Sequence, residues 1–565
     1  MAHKSADAVS RTKREFNGMN QPAVPASLWK SPGQFPLRVA ACGALLYFAA
    51  LPPLAWAPLG FLAPIPWLML IRDPVRLPGK KYYVRLWLAG VLFWLLAVHW
   101  LRLPHWATSF GWIALALYLG AYLPVFVGLS RVAVHRFQIP LLIAAPIIWV
   151  GLEWARAHLI TGFLMAALGH TQVGWIEFLQ IADLAGGYTV CFVMILLAAC
   201  VARMLPVAET RRTFWPLAPL LAVLAAALLY GRHRIANAPQ HPGPHVALIQ
   251  GSIDADWKQD PGKDVRINAT YFDLSRQAIA ASAQPVDLVV WPETMYRRPL
   301  LVLDEDLGTS PDVPYSRADL ERAAGDFSQE VFAMAGMLDA PLLLGVEALH
   351  FQQLDQPLRY NSAIAIEPGG AMSQRYDKNH RVLFGEYIPL GEAFPAIYQL
   401  SPIGSGLQAG ASAESFSIRG VRYAPNVCYE SVLPQVIAHQ VRALTSVGES
   451  PDVLVNLTND AWFWGSSELD MHLACDVFRA IECRRPMLVA ANGGLTAVVD
   501  ASGRVLAKLP RRTDRFLLAD VPLDGRESLY LTVGDWPVAA CLLACVLLGL
   551  GGLTPLIRNG KNADS

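Results

Sequence analysis

The sequence predicts a polytopic α-helical membrane domain of about eight spans, joined to a layered α/β domain. Of the 565 residues, 54% are hydrophobic and only 16% are charged, whereas an ordinary soluble domain is about 25% charged. The apolar residues are segregated into runs before residue 232 and one run near the C-terminus. Between them, short β-rich runs alternate with helical stretches, which is typical of layered α/β domains.

Charge and cysteine content exclude several classes of protein. The net charge is +1, from 46 Lys+Arg and 45 Asp+Glu, so there is no clustered basic excess of the kind that nucleic-acid binding requires. Five of the eight cysteines lie inside apolar runs, which argues against a disulfide scaffold. No cysteine–histidine pair has the spacing of a zinc site. We therefore expect no nucleic-acid partner, no metal and no cofactor.

Eight apolar runs approach the length of about 17–25 residues that crosses a bilayer. Their approximate bounds are 38–54, 58–72, 83–101, 109–130, 138–157, 187–204, 214–231 and 534–552. The second run is short, and Pro52, Pro53 and Pro58 interrupt the stretch that holds the first two runs. A re-entrant pair is therefore the alternative to two spans there.

The distribution of lysine and arginine predicts the orientation in the membrane. Basic residues concentrate in both tails and in the second, fourth and sixth connections, and positive loops stay on the cytoplasmic side. About 37 mostly polar residues precede the first run, so we expect no cleavable signal peptide. The predicted organisation is a cytoplasmic tail at 1–37, seven transmembrane helices within 38–232, a periplasmic α/β domain at 240–530, a transmembrane helix at 534–552 and a cytoplasmic tail at 553–565.

Short apolar runs of strand-like composition recur through the α/β block. Runs of this length are typical of buried strands, and helical stretches such as Ala318–Leu338 and Met471–Arg485 lie between some of them. The predicted strands are His245–Gln250, Asp287–Glu293, Pro341–Val346, Ser362–Ile366, Tyr423–Cys428, Val453–Leu457 and Met487–Ala491.

Three of these strands are closed or followed by a reactive side chain: Glu293, Lys378 and Cys428. Ligands of α/β sheets bind outside the strand ends, so the three residues form a coherent chemical set. Cysteine is a strong nucleophile towards carbonyl carbon once it is ionised. A carboxylate takes the thiol proton and returns it to the leaving group, and an ammonium stabilises a thiolate and then an oxyanion. Each residue alone also fits packing, a solvated loop or a helix N-terminal charge.

Taken together, the motifs resemble those of the nitrilase superfamily, which has a Glu–Lys–Cys triad in an α-β-β-α sandwich. They occur in the order Trp291–Glu293, Tyr376–His380, Phe384–Pro389, Val427–Glu430 and Asn459–Phe463. Such a block between seven N-terminal spans and one C-terminal span is similar to the apolipoprotein N-acyltransferases of the bacterial inner membrane. The resemblance covers nearly the whole chain.

The resemblance implies roles for individual residues. It makes Glu293 the general base, Lys378 the electrostatic stabiliser and Cys428 the nucleophile that accepts the acyl group. Residues Asn459–Phe463 would form a loop that frames the pocket. The remaining matches are Glu386, which would pair with the lysine, Tyr429 and Glu430, which would support the nucleophile, and Trp257, which would bind substrate or merely pack near it.

The family reaction implies partners and a location. Cys428 would take an acyl chain from a phospholipid, typically phosphatidylethanolamine, and pass it to the α-amine of the N-terminal diacylglyceryl-cysteine of apolipoproteins. The enzyme would be a monomer of the inner membrane with a periplasmic catalytic domain. The chain departs from the family at Val489–Gly494, where Val-Ala-Ala-Asn-Gly-Gly stands in place of Arg-x-Thr-Asn-x-Gly. This departure leaves the triad intact.

Two segments leave alternatives open. The weakly polar connection from Arg156 to about Leu179 fits either an interfacial segment lying on the bilayer or a packed connecting loop. Tyr296–Ser316 is rich in charges and prolines and fits either a mobile lid over the site or a surface insertion.

Three other functions compete with acyl transfer. A membrane-tethered amidase would use the same triad, but eight spans exceed what an anchor needs. A catalytically silent scaffold would be natural if the triad were lost. A transporter would need buried charges in the spans, for which Glu153 and Asp183 are the candidates. Cys475 and Cys483 are interpreted as structural, because they lie on a predicted helix away from a strand end.

Overall fold

The computed structural model describes residues 32–554 with gaps. The gaps are 75–78, 208–211, 240, 256–259, 308–312, 314, 371, 392, 395, 397, 399–402 and 404. Trp257, most of the 1–37 tail and nearly all of the 553–565 tail therefore lie outside the described residues.

The first part of the chain is a bundle of apolar helices broken by proline and glycine. Its helices are α1 (Pro36–Ala50), α2 (Pro58–Leu62), α3 (Pro64–Arg72), α4 (Lys80–Ala97), α5 (Thr108–Gly120), α6 (Tyr122–Arg131), α7 (Leu141–His158), α8 (Ile176–Leu179), α9 (Ala182–Ala185), α10 (Gly187–Met204) and α11 (Leu217–Ala236). Each of the seven predicted N-terminal runs contains helical structure.

Four helical stretches within the described ranges are long and apolar enough to cross a membrane, fewer than the eight spans that the sequence predicts. They are Thr108–Arg136, Leu141–Thr161, Gly187–Met204 and Trp536–Leu553. Pro36–Ala50 and Pro58–Arg72 are apolar but shorter. Helix α4 begins with Lys80, Lys81 and Arg85, and α11 ends in a basic cluster. Such charges shorten the stretch of helix that is stable in the hydrocarbon core of a bilayer.

The α/β block contains two sheets. The strands are β1 (His245–Gln250), β2 (Leu288–Val290), β3 (Tyr296–Leu303), β4 (Leu342–Phe351), β5 (Leu358–Ile366), β6 (Met372–Asp377), β7 (Phe416–Ile418), β8 (Val421–Val427), β9 (Val453–Asn459), β10 (Met487–Asn492), β11 (Ala497–Val499), β12 (Val505–Lys508) and β13 (Arg515–Asp520). Seven strands form the first sheet in the order β13-β1-β2-β4-β5-β6, with β3 also paired to β4, and six form the second in the order β12-β11-β10-β9-β8-β7.

The side chains on the strands build an α-β-β-α sandwich. Along β1, Val246 and Leu248 enter a core shared with the second sheet, whereas Ala247 and Ile249 face outwards, as the two-residue period of a strand requires. The outer face of the first sheet is covered by α12 (Pro261–Ala281) and α13 (Arg317–Leu338).

The outer face of the second sheet is covered by α14 (Pro434–Ser446) and α15 (Glu468–Cys483). These two helices belong to the same hydrophobic core as the membrane helices. After the sheets come α16 (Leu529–Val533) and α17 (Trp536–Leu553), and the latter packs against α7. The sandwich thus has one helical layer facing away from the bundle and one layer docked on it.

The structure describes large parts of the two ambiguous segments. Phe163–Gln172 is almost entirely buried, so this part of the connection after α7 is a packed loop. Leu159 and Ile160, just before it, are more than half exposed.

Residues Tyr296–Leu303 form β3, paired in parallel with β4. This part of the expected lid is therefore a strand of the sheet, in which Tyr296 and Leu300 are buried and Arg298 between them is exposed.

A buried ionic cluster joins the sandwich to the bundle. The Asp183 carboxylate, just before α10, accepts a hydrogen bond from Arg484 Nε at 2.9 Å and one from Tyr230 at 2.7 Å. Arg234 Nε lies 2.8 Å from the same carboxylate, and Arg484 Nη1 donates to Gln180 at 2.7 Å. Asp183 is therefore a structural anchor between the two parts.

We expect Asp183→Ala to destabilise the protein by about 3–5 kcal/mol, because it leaves the fully buried Arg484 guanidinium without its carboxylate. Thermal unfolding in detergent micelles would measure the change. The matched control is Glu330→Ala, whose partner Arg298 is 2.8 Å away but whose pair is about 40% exposed; it should cost under about 1 kcal/mol. Equal shifts for both variants would contradict the anchoring role.

Candidate active site

The topology brings Glu293, Lys378 and Cys428 to the same end of the sandwich. Glu293 lies just after β2, Lys378 directly after β6 and Cys428 directly after β8. Strand β2 is parallel to β4, and the antiparallel pairs β4–β5 and β5–β6 return β6 to that direction. The carboxyl ends of β2 and β6 therefore meet at one edge, where the side chains can interact across the two sheets.

Glu293 is a buried carboxylate held on both oxygens. Its Oε1 accepts a hydrogen bond from Asn361 Nδ2 at 2.7 Å, and its Oε2 accepts one from the backbone N–H of Asn459 at 2.9 Å. Burial raises the pKa of Glu293, the charge of Lys378 opposes that rise, and the charge of Glu386 adds to it. A carboxylate with a raised pKa is well suited to accept a proton near neutral pH.

Lys378 is an ammonium group buried between two carboxylates. Its Nζ donates to Glu386 Oε1 at 2.7 Å and lies 3.8 Å from Glu293 Oε1. Burial alone would lower the pKa of Lys378, but the charges of Glu386 and Glu293 outweigh it and raise the pKa. The lysine is therefore a permanent positive charge. Glu386 is fixed in turn by the backbone N–H of Val382 at 2.8 Å, so it is not a mere loop charge.

Cys428 occupies the sharp turn between β8 and a short 3₁₀ helix. Its backbone has a positive φ of 52°, a conformation that non-glycine residues rarely adopt and that clusters at functional sites. As a residue, Cys428 is partly buried, whereas Cys475 and Cys483 are fully buried on α15. Burial and the charge of Glu293 raise the pKa of the Cys428 thiol, and Lys378 opposes the rise. The Cys428 thiol of the free protein is therefore protonated, and the Glu293 carboxylate and the Lys378 ammonium group act on it electrostatically.

The two residues after the cysteine support it in different ways. Glu430 is fully buried and accepts hydrogen bonds from the backbone N–H groups of Val427, Asn379 and His380, at 2.7, 2.7 and 3.0 Å. It thereby joins the cysteine turn to the lysine loop. Tyr429 donates to the carbonyl of Gly162 at 2.9 Å, which ties the cysteine turn to the helical bundle.

Several residues around the site carry at most a weak signal in the sequence. Asn361 lies at the start of the apolar run in β5 and donates to Glu293. Asn456 and His472 contact the Cys428 carbonyl at 3.3 and 3.1 Å. An asparagine inside an apolar strand is unusual and therefore suggests a specific role. The sequence does not identify the partner, however, because each partner comes from a distant part of the chain.

Asp460, Glu468 and His472 each bring a potential ligand atom within 4.8 Å of the others. His472 Nδ1 lies 3.1 Å from Asp460 Oδ1, and its Nε2 faces the Cys428 carbonyl. Both ring nitrogens are thus engaged in hydrogen bonds, so the cluster is an ion pair next to the cysteine.

The strand that departs from the family motif still places its asparagine at the site. Val489 and Ala491 are buried in β10, where small apolar side chains fill the space. Asn492 Nδ2 donates to Asn459 Oδ1 at 2.9 Å, which steadies the residue whose N–H holds Glu293. The frame of the pocket therefore tolerates the missing arginine and threonine.

A base, a cation and a nucleophile arranged in this way can cleave an acyl bond through a covalent thioester. A domain model described as carbon-nitrogen hydrolase matches residues 245–530, so the sandwich is of the nitrilase class. A second model, described as the apolipoprotein N-acyltransferase N-terminal domain, matches residues 43–200.

Relatives extend over both parts. The chain is 32% identical over 543 residues to the apolipoprotein N-acyltransferase of Rhodopirellula baltica, covering 89% of this chain and 94% of that one. It is 34% identical over 469 residues to that of Geobacter metallireducens, covering 81% and 84%. The chain belongs to the apolipoprotein N-acyltransferase family, and it is therefore a membrane-associated acyltransferase.

Two solved structures are similar to about half of this chain. An amidase from Nesterenkonia sp. is 16% identical, with a TM-score of 0.36, over 54% of this chain and 98% of that one. The protein XC1258 from Xanthomonas campestris is 18% identical, with a TM-score of 0.34, over 53% and 96%.

The pH dependence should report the raised pKa of Glu293. A base must be ionised to accept a proton, so activity should fall on the acid side at a pH above the ordinary glutamate value of about 4.3. Asn361→Ala removes a hydrogen bond to the carboxylate and should move this acid limb to still higher pH. The measurement is the burst of p-nitrophenol from a p-nitrophenyl acyl ester against pH. Asn237→Ala, at an exposed position, is the control, and an unshifted limb in Asn361→Ala would refute the assignment.

Proposed function

We propose that the chain transfers an acyl chain from a phospholipid, through a thioester on Cys428, to the α-amine of the diacylglyceryl-cysteine at the N-terminus of apolipoproteins. Glu293 takes the thiol proton as sulfur attacks the ester carbonyl, and Lys378 stabilises the oxyanion. The ester C–O bond breaks, and the proton passes to the lysophospholipid oxygen. The amine then attacks the thioester and gives its proton to Glu293, which returns it to the departing sulfur.

The observation that carries this proposal is the seating of the cysteine turn on apolar helices. Tyr429 is bonded to Gly162 in the loop after α7. Next to this loop, the bundle has a partly open cavity of about 70 Å³, lined mainly by aromatic and aliphatic side chains, with Arg156 and Glu153 at its polar part. Exposing an acyl chain to water costs about 0.8 kcal/mol per CH₂, so a nucleophile at the lipid boundary suits acyl donors.

The rim of the site has a surface suited to a bilayer. Four large apolar side chains on loops of the α/β block are more than half exposed: Phe384, Leu390, Phe394 and Trp464. Phe384 and Leu390 flank Glu386, and Trp464 follows the loop that holds Glu293. Exposed apolar groups clustered near a site mark contact with lipid or another apolar partner.

The finer assignments rest on membership of the family and on the distribution of charge. We propose that the donor is phosphatidylethanolamine, that the enzyme acts as a monomer, and that the α/β domain at 240–530 lies in the periplasm with seven spans before it and one after it. The alternate basic connections support this orientation, because positive loops remain cytoplasmic. A membrane-tethered amidase would use the same triad but would turn over soluble amides without lipid.

Phospholipid alone should leave an acyl group on Cys428. Intact-mass analysis of the purified protein should show one added acyl chain, peptide mapping should place it on Cys428, and Cys428→Ala should show none. Transfer to a lipopeptide should fall by about 10³-fold or more in Cys428→Ala. Cys475→Ala is the matched control and should retain activity. An adduct on Cys475, or hydrolysis of soluble amides without lipid dependence, would overturn the proposal.

Labelling with a membrane-impermeant maleimide tests the orientation. In a Cys428→Ala background, Asp326→Cys on exposed α13 should react in spheroplasts, because the block is periplasmic. Lys80→Cys, exposed at the start of α4, should react only after the membrane is broken. The reverse pattern, or equal labelling, would contradict the proposed topology.

A further inference from the structure

The backbone carbonyl of Cys428 is bound by side chains that the proposed mechanism does not use. His472 Nε2 lies 3.1 Å from this oxygen and Asn456 Nδ2 lies 3.3 Å from it. His472 is on α15, which docks on the bundle, and Asn456 is in the middle of β9. Both side chains are buried. We call this pair the carbonyl clamp.

Both nitrogens of His472 face acceptors. Nδ1 lies 3.1 Å from Asp460 Oδ1 and 3.8 Å from Glu468 Oε1, and Nε2 faces the Cys428 carbonyl. Nε2 also lies 3.3 Å from Ser431 Oγ and 3.4 Å from Asn456 Nδ2. Only the imidazolium form donates to Asp460 and to the Cys428 carbonyl at the same time, because a neutral imidazole carries one N–H. Burial would lower the pKa of His472, but Asp460 and its neighbours raise it to about 10. The ring is thus a fixed double donor.

Asn456 is oriented by acidic and hydroxyl partners of its own. Its Nδ2 lies 3.0 Å from Asp476 Oδ1 and 2.8 Å from Ser431 Oγ. These contacts direct the amide nitrogen, rather than the amide oxygen, towards the cysteine carbonyl, which at 3.3 Å is the most distant of three acceptors that share its two N–H bonds. Asp460, directly after β9, and Asp476, on α15, therefore orient the two donors of the clamp.

The geometry of the cysteine explains what the clamp is for. Cys428 has a φ of 52°, which is disfavoured for a residue with a Cβ and persists only where its surroundings hold it. The direction of the Cys428 carbonyl fixes the peptide plane after the cysteine and so restrains the backbone from which the Cα–Cβ bond projects. Donors on this oxygen can therefore keep the cysteine backbone, and the base of its side chain, in one orientation at the site.

We propose that the carbonyl clamp of His472 and Asn456 positions the Cys428 nucleophile for acylation by holding its carbonyl in the strained turn. The inference rests on the proposed role of Cys428 as the acyl-accepting nucleophile. His472 and Asn456 are positioning residues, because they act on the cysteine backbone and not on the substrate. The clamp should therefore affect the rate of thioester formation and leave the affinity for the donor lipid unchanged.

The test compares two amides at position 472. Gln can place a donor near the position of Nε2 and keep the bond to the cysteine carbonyl, whereas Asn reaches only the Nδ1 position beside Asp460. We expect His472→Asn to lower the single-turnover rate of Cys428 acylation by phosphatidylethanolamine vesicles by about 10- to 100-fold, with an unchanged half-saturating lipid concentration. His472→Gln should recover most of this loss. His439→Asn, at an exposed position on α14, should match wild type.

Other outcomes separate the clamp from the proposed function. Wild-type acylation in His472→Asn, or equal loss in both 472 variants, would overturn the clamp while leaving the role of Cys428 intact. Acylation that persists in Cys428→Ala would instead overturn the proposed function. If the 472 variants do not fold, Asn456→Ser tests the second donor. It should lower the acylation rate with an unchanged half-saturating concentration, and a wild-type rate there would also overturn the clamp.

Discussion

The site is built around the cost of burying one ammonium group. Lys378 is only 2% exposed, and removing such a charge from water is expensive unless carboxylates and hydrogen bonds compensate it. Glu386 provides the close partner at 2.7 Å and Glu293 the more distant one at 3.8 Å. Asn361 donates to Glu293 and, more weakly at 3.4 Å, to Glu386. The attraction between Lys378 and the two carboxylates therefore holds the loop that carries the lysine next to the end of β2.

Buried charged side chains also lie where the sandwich meets the bundle, and they too require charged or hydrogen-bonding partners. Arg479 and Glu482 of α15 pair at 2.7 Å, and Glu482 also accepts the backbone N–H of Gly187 at 2.6 Å. Apolar packing alone would allow the α/β block to slide on the helices, because hydrophobic contact is not directional. Directional polar bonds fix one orientation. The cysteine turn is thereby held over the loop after α7.

Much of this could be predicted from local sequence. Every predicted strand is present, because apolar runs such as His245–Gln250 are buried on both faces, and the nitrilase-like part of the predicted fold is confirmed by the carbon-nitrogen hydrolase match. The sequence does not predict β3, β6, β7, β11, β12 and β13. Strand β3, for example, carries two arginines and is only partly buried.

Residues such as Asn361 and His472 could not be found from the sequence, since their role exists only once distant strands and helices bring them together. The eight spans remain a proposal beyond the four long apolar helices. Charges near helix ends, as in α4, make length and composition alone insufficient to identify a span. The proposed roles of Glu293, Lys378 and Cys428 likewise rest on their positions near strand ends and on the chemistry of their side chains, both of which can be read from the sequence.

The electrostatics of the site also constrain when the nucleophile forms. Burial and the Glu293 charge keep the Cys428 proton on sulfur, while Lys378 stays charged throughout. A thiolate here would lie beside the Glu293 carboxylate, so ionisation of Cys428 is unfavourable in the free protein. In the proposed mechanism, an oxyanion developing on an ester carbonyl would gain the field of Lys378, and attack by sulfur would be coupled to proton transfer to Glu293. On that proposal the substrate itself activates the thiol.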